Sequence, residues 1–287
     1  MAIHIGCGSW ADDKYVGLFY PKGLPAGDRL RVYAQWFDRI ELNNTYYNTP
    51  SPKSVAEWAA QTPAGFIFDF KLHRSFSRNP RHAGGSGEMG KLLADDAQLI
   101  AAGKLGAFLL TLPPSFGPDQ DRLEELDGVI DGLPAFPLAV ELRHWDWVRR
   151  DMLAKTLDYF RRRKLVWVAP DLPWLDSPTL CPAVDEVTNS HLAYLRLHGR
   201  NPNYLKAKTA AEKHQHDYAE KELEEIVGRI ERLARHAKDV SRERQQSRRK
   251  LRAQGGSGIA TLAGSESAGV QLDTPRNIFR GLGPRFA

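Results

Sequence analysis

The stretch IELNNTYYNTPSP, residues 40–52, alternates: as a strand it puts Ile40 and Leu42 on one face and Glu41, Asn43 and Thr45 on the other. Such alternation marks a strand with one apolar and one polar face. It stands, however, between two helical stretches, DRLRVYAQWFDR and SPKSVAEWAAQ. Strands alternating with helices predict a parallel sheet covered on both faces, where polar side chains need an enclosed place to point. The lumen of a barrel is such a place.

Six further short β-branched or aromatic runs support that reading: AIHIGCGS, FIFDFKL, GAFLLTLP, LAVELRH, LVWVAPD and HLAYLRLHG. Helical segments lie between several of them, clearest at EMGKLLADDAQLIAAGK, DQDRLEELDGVIDGL and RDMLAKTLDYFRRRK. Seven strands with such crossovers fit a (β/α)8 barrel short of one strand, or a doubly wound sheet. No GxGxxG or GxxxxGK[ST] motif opens a helix, which disfavours a nucleotide-binding doubly wound fold. Parity then favours the barrel. One face of the strands collects His4, Glu41, Asn43, Thr45, Asp69, Lys71, Thr111, Glu141, Arg143, Asp171, Tyr194, Arg196 and His198. The other is apolar, with Ile40, Leu42, Phe68, Phe70, Phe108, Leu110, Val140, Leu142, Val166, Val168, Leu195 and Leu197. The apolar face suits an outer helix layer. The polar face gathers toward the C-terminal strand ends, where barrel enzymes keep their active sites.

Charges in a lumen can simply neutralise one another. Seven of them converging from several strands are nevertheless costly to desolvate and a weak source of stability, so a functional pocket is expected. Within it, Glu41, Glu141, Asp171 and His198 are the candidate acid–base groups. Asn43, Lys71, Arg143 and Arg196 would hold a ligand, with Trp10 and Trp147 beside the strand ends as stacking surfaces.

The 287 residues are 42% hydrophobic and 26% charged, ordinary for a globular protein. Two cysteines, Cys7 and Cys181, without a CxxC pair argue against a disulfide framework and a structural zinc site and fit the cytoplasm. No apolar run spans a membrane, and MAIHIGCGSW is no signal peptide. The formal charge of +5 invites a nucleic-acid partner. Nine of the Lys/Arg and three of the Asp/Glu fall in residues 241–287, however, so the tail carries +6 and residues 1–240 carry −1. The charge of the domain gives that partner no support.

Several motifs together resemble the YecE-like family, domain of unknown function 72: GCGSW and LFYP, ELNNTYYNTP, the lysine strand FIFDFKL, LPPSF, ELRHWDW and YLRLHG. Their order and spacing agree from residue 3 to about residue 240. The resemblance implies a TIM-type barrel and leaves the chemistry open. Thr111 departs from it, since relatives commonly carry glutamine there. A larger departure follows Val240. The family continues with a last strand, an asparagine pair and Ala-Pro, whereas this chain reads SRERQQSRRKLRAQGGSGIATLAGSESAG. A shift of reading frame near Val240 is compatible with codons for the family ending. Residues 1–240 are thus expected to form the barrel domain and 241–287 an atypical tail, disordered or frameshifted. The barrel would then lack a normal eighth strand: either the tail supplies one or the barrel stays open.

Three functions fit these residues. The first is an acid–base enzyme, a hydrolase or lyase, acting on a phosphorylated or acidic small molecule, with no cofactor. Three basic residues beside the glutamates argue against a neutral sugar. The second is metal-dependent phosphodiester cleavage by analogy with barrel endonucleases, with a divalent metal held by His and carboxylate ligands. The third is a non-catalytic anion-binding module.

Overall fold

The computed structural model describes residues 2–83, 87–133, 136–237 and 239–244. Eight parallel strands close into a barrel in sequence order: β1 (Ala2–Cys7), β2 (Arg39–Leu42), β3 (Ile67–Lys71), β4 (Leu105–Thr111), β5 (Leu138–Glu141), β6 (Val166–Asp171), β7 (Leu192–Leu197) and β8 (Asp239–Arg244). The connections carry α1 (Arg29–Tyr33), α2 (Pro52–Gln61), α3 (Arg74–Arg78), α4 (Pro80–Ala83), α5 (Gly87–Asp95), α6 (Ala97–Ala101), α7 (Asp127–Gly132), α8 (Arg150–Arg162), α9 (Ala210–Lys213) and α10 (Glu220–Ala234). The chain is a TIM-type barrel.

The eighth place is atypical but not empty. The polar segment DVSRER pairs with both neighbours, from Ala2↔Asp239 to Cys7↔Arg244 on one side and from Leu192↔Asp239 to Leu197↔Arg244 on the other. Backbone ladders do not require an apolar side-chain pattern, and this one covers the edges that β1 and β7 would otherwise present. The strand runs across the expected boundary at residue 240. Of the tail expected to be disordered or frameshifted, 241–287, the first four residues, 241–244, instead belong to β8, and 245–287 lie outside the described residues.

Local chemistry explains the helices that matter most. Ser51 caps α2 by accepting from the Ser54 amide at 3.1 Å, with Pro52 opening the helix. The α8 helix has Asp151 in its first turn and Arg161 and Arg162 in its last, matching its dipole. Glu222 accepts from the Ala219 amide at 2.8 Å at the start of α10, which buries Ile226, Val227, Ile230 and Leu233.

Two apolar regions result. Between strands and helices lies the main core, holding Ile40, Leu42, Phe68, Phe70, Phe108, Leu110, Val140, Leu142, Leu195 and Leu197. A smaller cluster of Ala107, Leu109, Ala139, Val166, Val168, Leu192 and Tyr194 packs separately, and the strand parity makes it the filling of the lumen. The β6 strand therefore reverses the expected parity. Val166 and Val168 face inward, and Trp167 packs outward on Phe160 at a centroid distance of 5.2 Å.

Candidate active site

Beside the lumen cluster, and bonded to it through the Ala107 amide and the Tyr194 hydroxyl, runs a chain of buried charges. Arg39, at the start of β2, donates from Nε and Nη2 to both oxygens of Asp69 at 2.5 and 2.6 Å. Gly106 makes room for this pair: a Cβ there would stand 2.7 Å from Asp69 Oδ1 and 2.8 Å from Arg39 Nη2. The Tyr194 hydroxyl lies 3.0 Å from Asp69 Oδ2 and 3.3 Å from Glu41 Oε2, linking this pair to the next. Arg196 then donates from Nε and Nη2 to Glu41 at 2.8 and 2.5 Å, and from Nη1 to Glu141. Glu141 is also approached by Arg143 Nε at 2.6 Å and by His198 Nε2 at 2.9 Å.

Electrostatics follow from this order. Burial alone would raise the Glu141 carboxyl, but Arg143, Arg196 and His198 hold it well below the usual carboxylate range. His198 is buried and lies near Arg143 and Arg196. Burial and these cations depress its imidazole to about 3 against the pull of Glu141, so the ring is neutral. Its Nδ1 is buried without a hydrogen-bond partner among the described residues, as is Thr111 Oγ1. Arg196 has no exposed surface, and all three of its guanidinium nitrogens are engaged. It was expected to hold a ligand; two carboxylates hold it instead.

At the mouth, Lys71 and Arg143 keep partial exposure. Lys71 Nζ stands 4.8 Å from the Tyr46 ring centroid. Burial together with Arg196 and Arg143 lowers its ammonium to about 8, while Glu41 and Glu141 pull the other way. Thr45 Oγ1 lies 2.5 Å from the Leu42 carbonyl and 2.6 Å from that of Lys71, tying the ends of β2 and β3 together. Asn43 is partly exposed and donates to the Gly8 carbonyl at 3.3 Å; a Cβ on Gly8 would meet its amide at 2.5 Å.

Two expected site residues, Asp171 and Trp147, stand elsewhere, and Trp10 has another aromatic partner. Asp171 has outward parity, because β6 is reversed. It accepts from Arg200 at 2.9 Å, from Arg229 of α10 at 2.9 Å and from Tyr218 at 2.8 Å. Trp147 is buried, stacks on Phe116 at 5.5 Å and donates to the Phe116 carbonyl at 2.8 Å. Trp10 packs edge-on against Trp58 at 5.2 Å. Tyr47 and Trp174 turn their rings to solvent, and Trp174, 89% exposed, helps line a cavity of about 350 Å³ with Trp145, Leu172, Leu180 and Cys181. Sequence reasoning passed over Arg39, although its two-residue spacing from Glu41 puts both on one face. Among the described residues, no three His, Cys, Asp or Glu side chains are grouped to hold a metal ion, and no helix is long and apolar enough to cross a membrane.

Comparison with known proteins places this barrel among relatives. The family model "Protein of unknown function DUF72" matches residues 4–247. The UPF0759 protein YunF of Bacillus subtilis strain 168 is 24% identical over 252 residues, covering 83% of this chain and 86% of its own. A DUF72 family protein of Thermotoga maritima MSB8 has a similar structure, with TM-score 0.76 and 27% identity over 85% of this chain and 92% of the other. Another, from Enterococcus faecalis V583, has TM-score 0.72 and 24% identity over 86% and 91% of the two chains.

Proposed function

The chain belongs to the DUF72 family, and from the mouth of its barrel we propose that it is an acid–base enzyme, a hydrolase or lyase acting on a phosphorylated or acidic small molecule. The observation that carries this reading is the pairing of two partly exposed cations, Lys71 and Arg143, with a buried network of Glu41, Arg196, Glu141 and His198 beneath them. Arg143 supplies a fixed positive charge for the anion. Lys71 has a proton affinity near the working pH, which suits proton transfer. Glu141 and Arg196 hold the field at the site constant, since neither exchanges its proton near neutrality.

Metal-dependent phosphodiester cleavage fits less well. Glu41 and Glu141 direct their oxygens at Arg196, and Asp171 is bound to Arg200 and Arg229, so the carboxylates a metal would need are committed to arginines. The compartment we assign remains the cytoplasm, from the cysteine usage.

Isothermal titration with inorganic phosphate, followed by a panel of phosphorylated and carboxylated metabolites, tests the reading. Saturable binding that Arg143→Ala weakens by at least tenfold is expected. Binding indifferent to Arg143→Ala, or no binding of any anion, overturns it.

A further inference from the structure

Lys71 differs from Arg39, Arg143 and Arg196, the cations described around it. Arg39 is bound to Asp69, Arg196 to Glu41 and Glu141, and Arg143 to Glu141. Lys71 Nζ makes no hydrogen bond or ion pair with any described residue and rests against the Tyr46 ring. It is the last residue of β3, at the C-terminal mouth, with its backbone carbonyl fixed by Thr45, and the residue is half-buried. An ammonium meant only to balance charge would be expected to contact Glu41 or Glu141, the nearest acids. Both carboxylates already have arginine partners, Glu41 in Arg196 and Glu141 in Arg196 and Arg143.

We propose that Lys71 is a nucleophile that forms an imine with an aldehyde or ketone carrying a phosphate or carboxylate group, the anion being held by Arg143. The inference rests on the anion-binding reading of this site and narrows it to lyase chemistry. The neutral amine adds to the carbonyl carbon, and the C=O π pair moves to oxygen, which takes a proton as the nitrogen loses one. The carbinolamine hydroxyl then takes a proton and leaves as water while the nitrogen lone pair closes the C=N bond; the protonated imine so formed gives back that proton to become the neutral imine. Amine and carbonyl thus give imine and water, with no change of oxidation state. Protonated, the imine is an electron sink for cleavage of a bond at the adjacent carbon. Glu41 and Glu141, which favour a cation at this nitrogen, would stabilise that form, while Arg143 and Arg196 favour the neutral amine that must attack. With the amine at about 8, roughly one molecule in ten is neutral at pH 7, against fewer than about one in a thousand for an ordinary lysine.

Trapping on the full-length protein decides the matter. The protein is incubated with glyoxylate, which joins an aldehyde to a carboxylate, and sodium cyanoborohydride, and the modified lysines are mapped by peptide mass spectrometry. Carboxymethylation of Lys71 at least tenfold faster than of the exposed Lys22, Lys53 and Lys155 is expected, rising with pH through about 8 and suppressed by excess phosphate. Lys71 labelled no faster than those surface lysines, while phosphate still binds in titration, overturns the imine and leaves the anion-binding enzyme standing. Failure of phosphate to bind or to protect overturns both.

Discussion

Arg196 grips Glu41 with two parallel bonds, Nε to Oε2 at 2.8 Å and Nη2 to Oε1 at 2.5 Å, and neither side chain has any exposed surface. The same guanidinium reaches Glu141 with its third nitrogen. One cation therefore bridges two carboxylates that would otherwise repel each other inside the barrel, and Arg143 supplies the second positive charge. Arg196→Met should leave both acids buried without this partner and cost about 3–5 kcal/mol, measured by urea denaturation. A loss below about 1 kcal/mol would contradict this account of Arg196.

Glu141 and Arg143 should separate when replaced. Glu141→Gln removes the charge shared by Arg143, Arg196 and His198, so it should abolish activity and lower stability by several kcal/mol, on the order of 3. Arg143 has some exposure and shares its acid with two other groups. Arg143→Ala should accordingly cost less, roughly 1–2 kcal/mol, and act mainly on anion affinity. Thermal melts of the two variants check the order, and a larger loss for Arg143→Ala would reverse it.

Acid should unfold this barrel early. His198 has a folded pKa of about 3, below its unfolded value, so unfolding takes up a proton as pH falls below about 6.5. Its contribution is full above that value and is lost progressively toward pH 3, by about 2 kcal/mol at pH 5. Glu141, also depressed, adds a second loss below pH 4.5. Urea titrations at pH 7, 6 and 5 should show the decline, and His198→Gln should flatten it between pH 6.5 and 5. An unchanged slope in that variant would place the proton uptake elsewhere.

Asp96 runs the opposite way. It is fully buried before α6, neither carboxyl oxygen has a hydrogen-bond partner among the described residues, and burial beside Asp95 raises it to about 8. A folded pKa above the unfolded one means that the folded state holds the extra proton, so stability falls as pH rises from about 4 to about 8. Asp96→Asn should remove that slope and stabilise the protein at pH 8 by on the order of 2–4 kcal/mol. A melting temperature at pH 8 no higher than that of the unaltered protein would refute this.

Much of the fold was legible because alternation and crossover helices are both written in side-chain polarity. In β2, β3, β5 and β7 a charged or polar residue stands on every second position toward the mouth, and their parity is as the pattern implies. The β6 run VWVAPD is buried throughout, so polarity offers no alternation, and Asp171 alone misled the assignment. Its partners Arg200, Tyr218 and Arg229 come from far along the chain and leave no local signal. Exposure of the aromatics was equally illegible. Trp10, Trp147 and Trp174 all follow strands, and only loop packing distinguishes the two packed rings from the solvent-facing one. The division of the cations between Arg196 and Lys71 depends on which nitrogen reaches which oxygen, a matter of ångströms that spacing does not encode.

The pairing of β1 with β8 joins residues 2–7 to residues 239–244, nearly the two ends of the barrel sequence. On the ribosome, the first strand to be synthesised must wait for the last. Until residue 244 leaves the exit tunnel, the partner of β1 and of β7 is missing, and each strand has one edge that the last strand would cover. Ring closure is therefore a late event of long sequence separation, with a large loop entropy to overcome. The nascent chain is most exposed to chaperones and to edge-to-edge association in the interval when nearly all of the protein already exists.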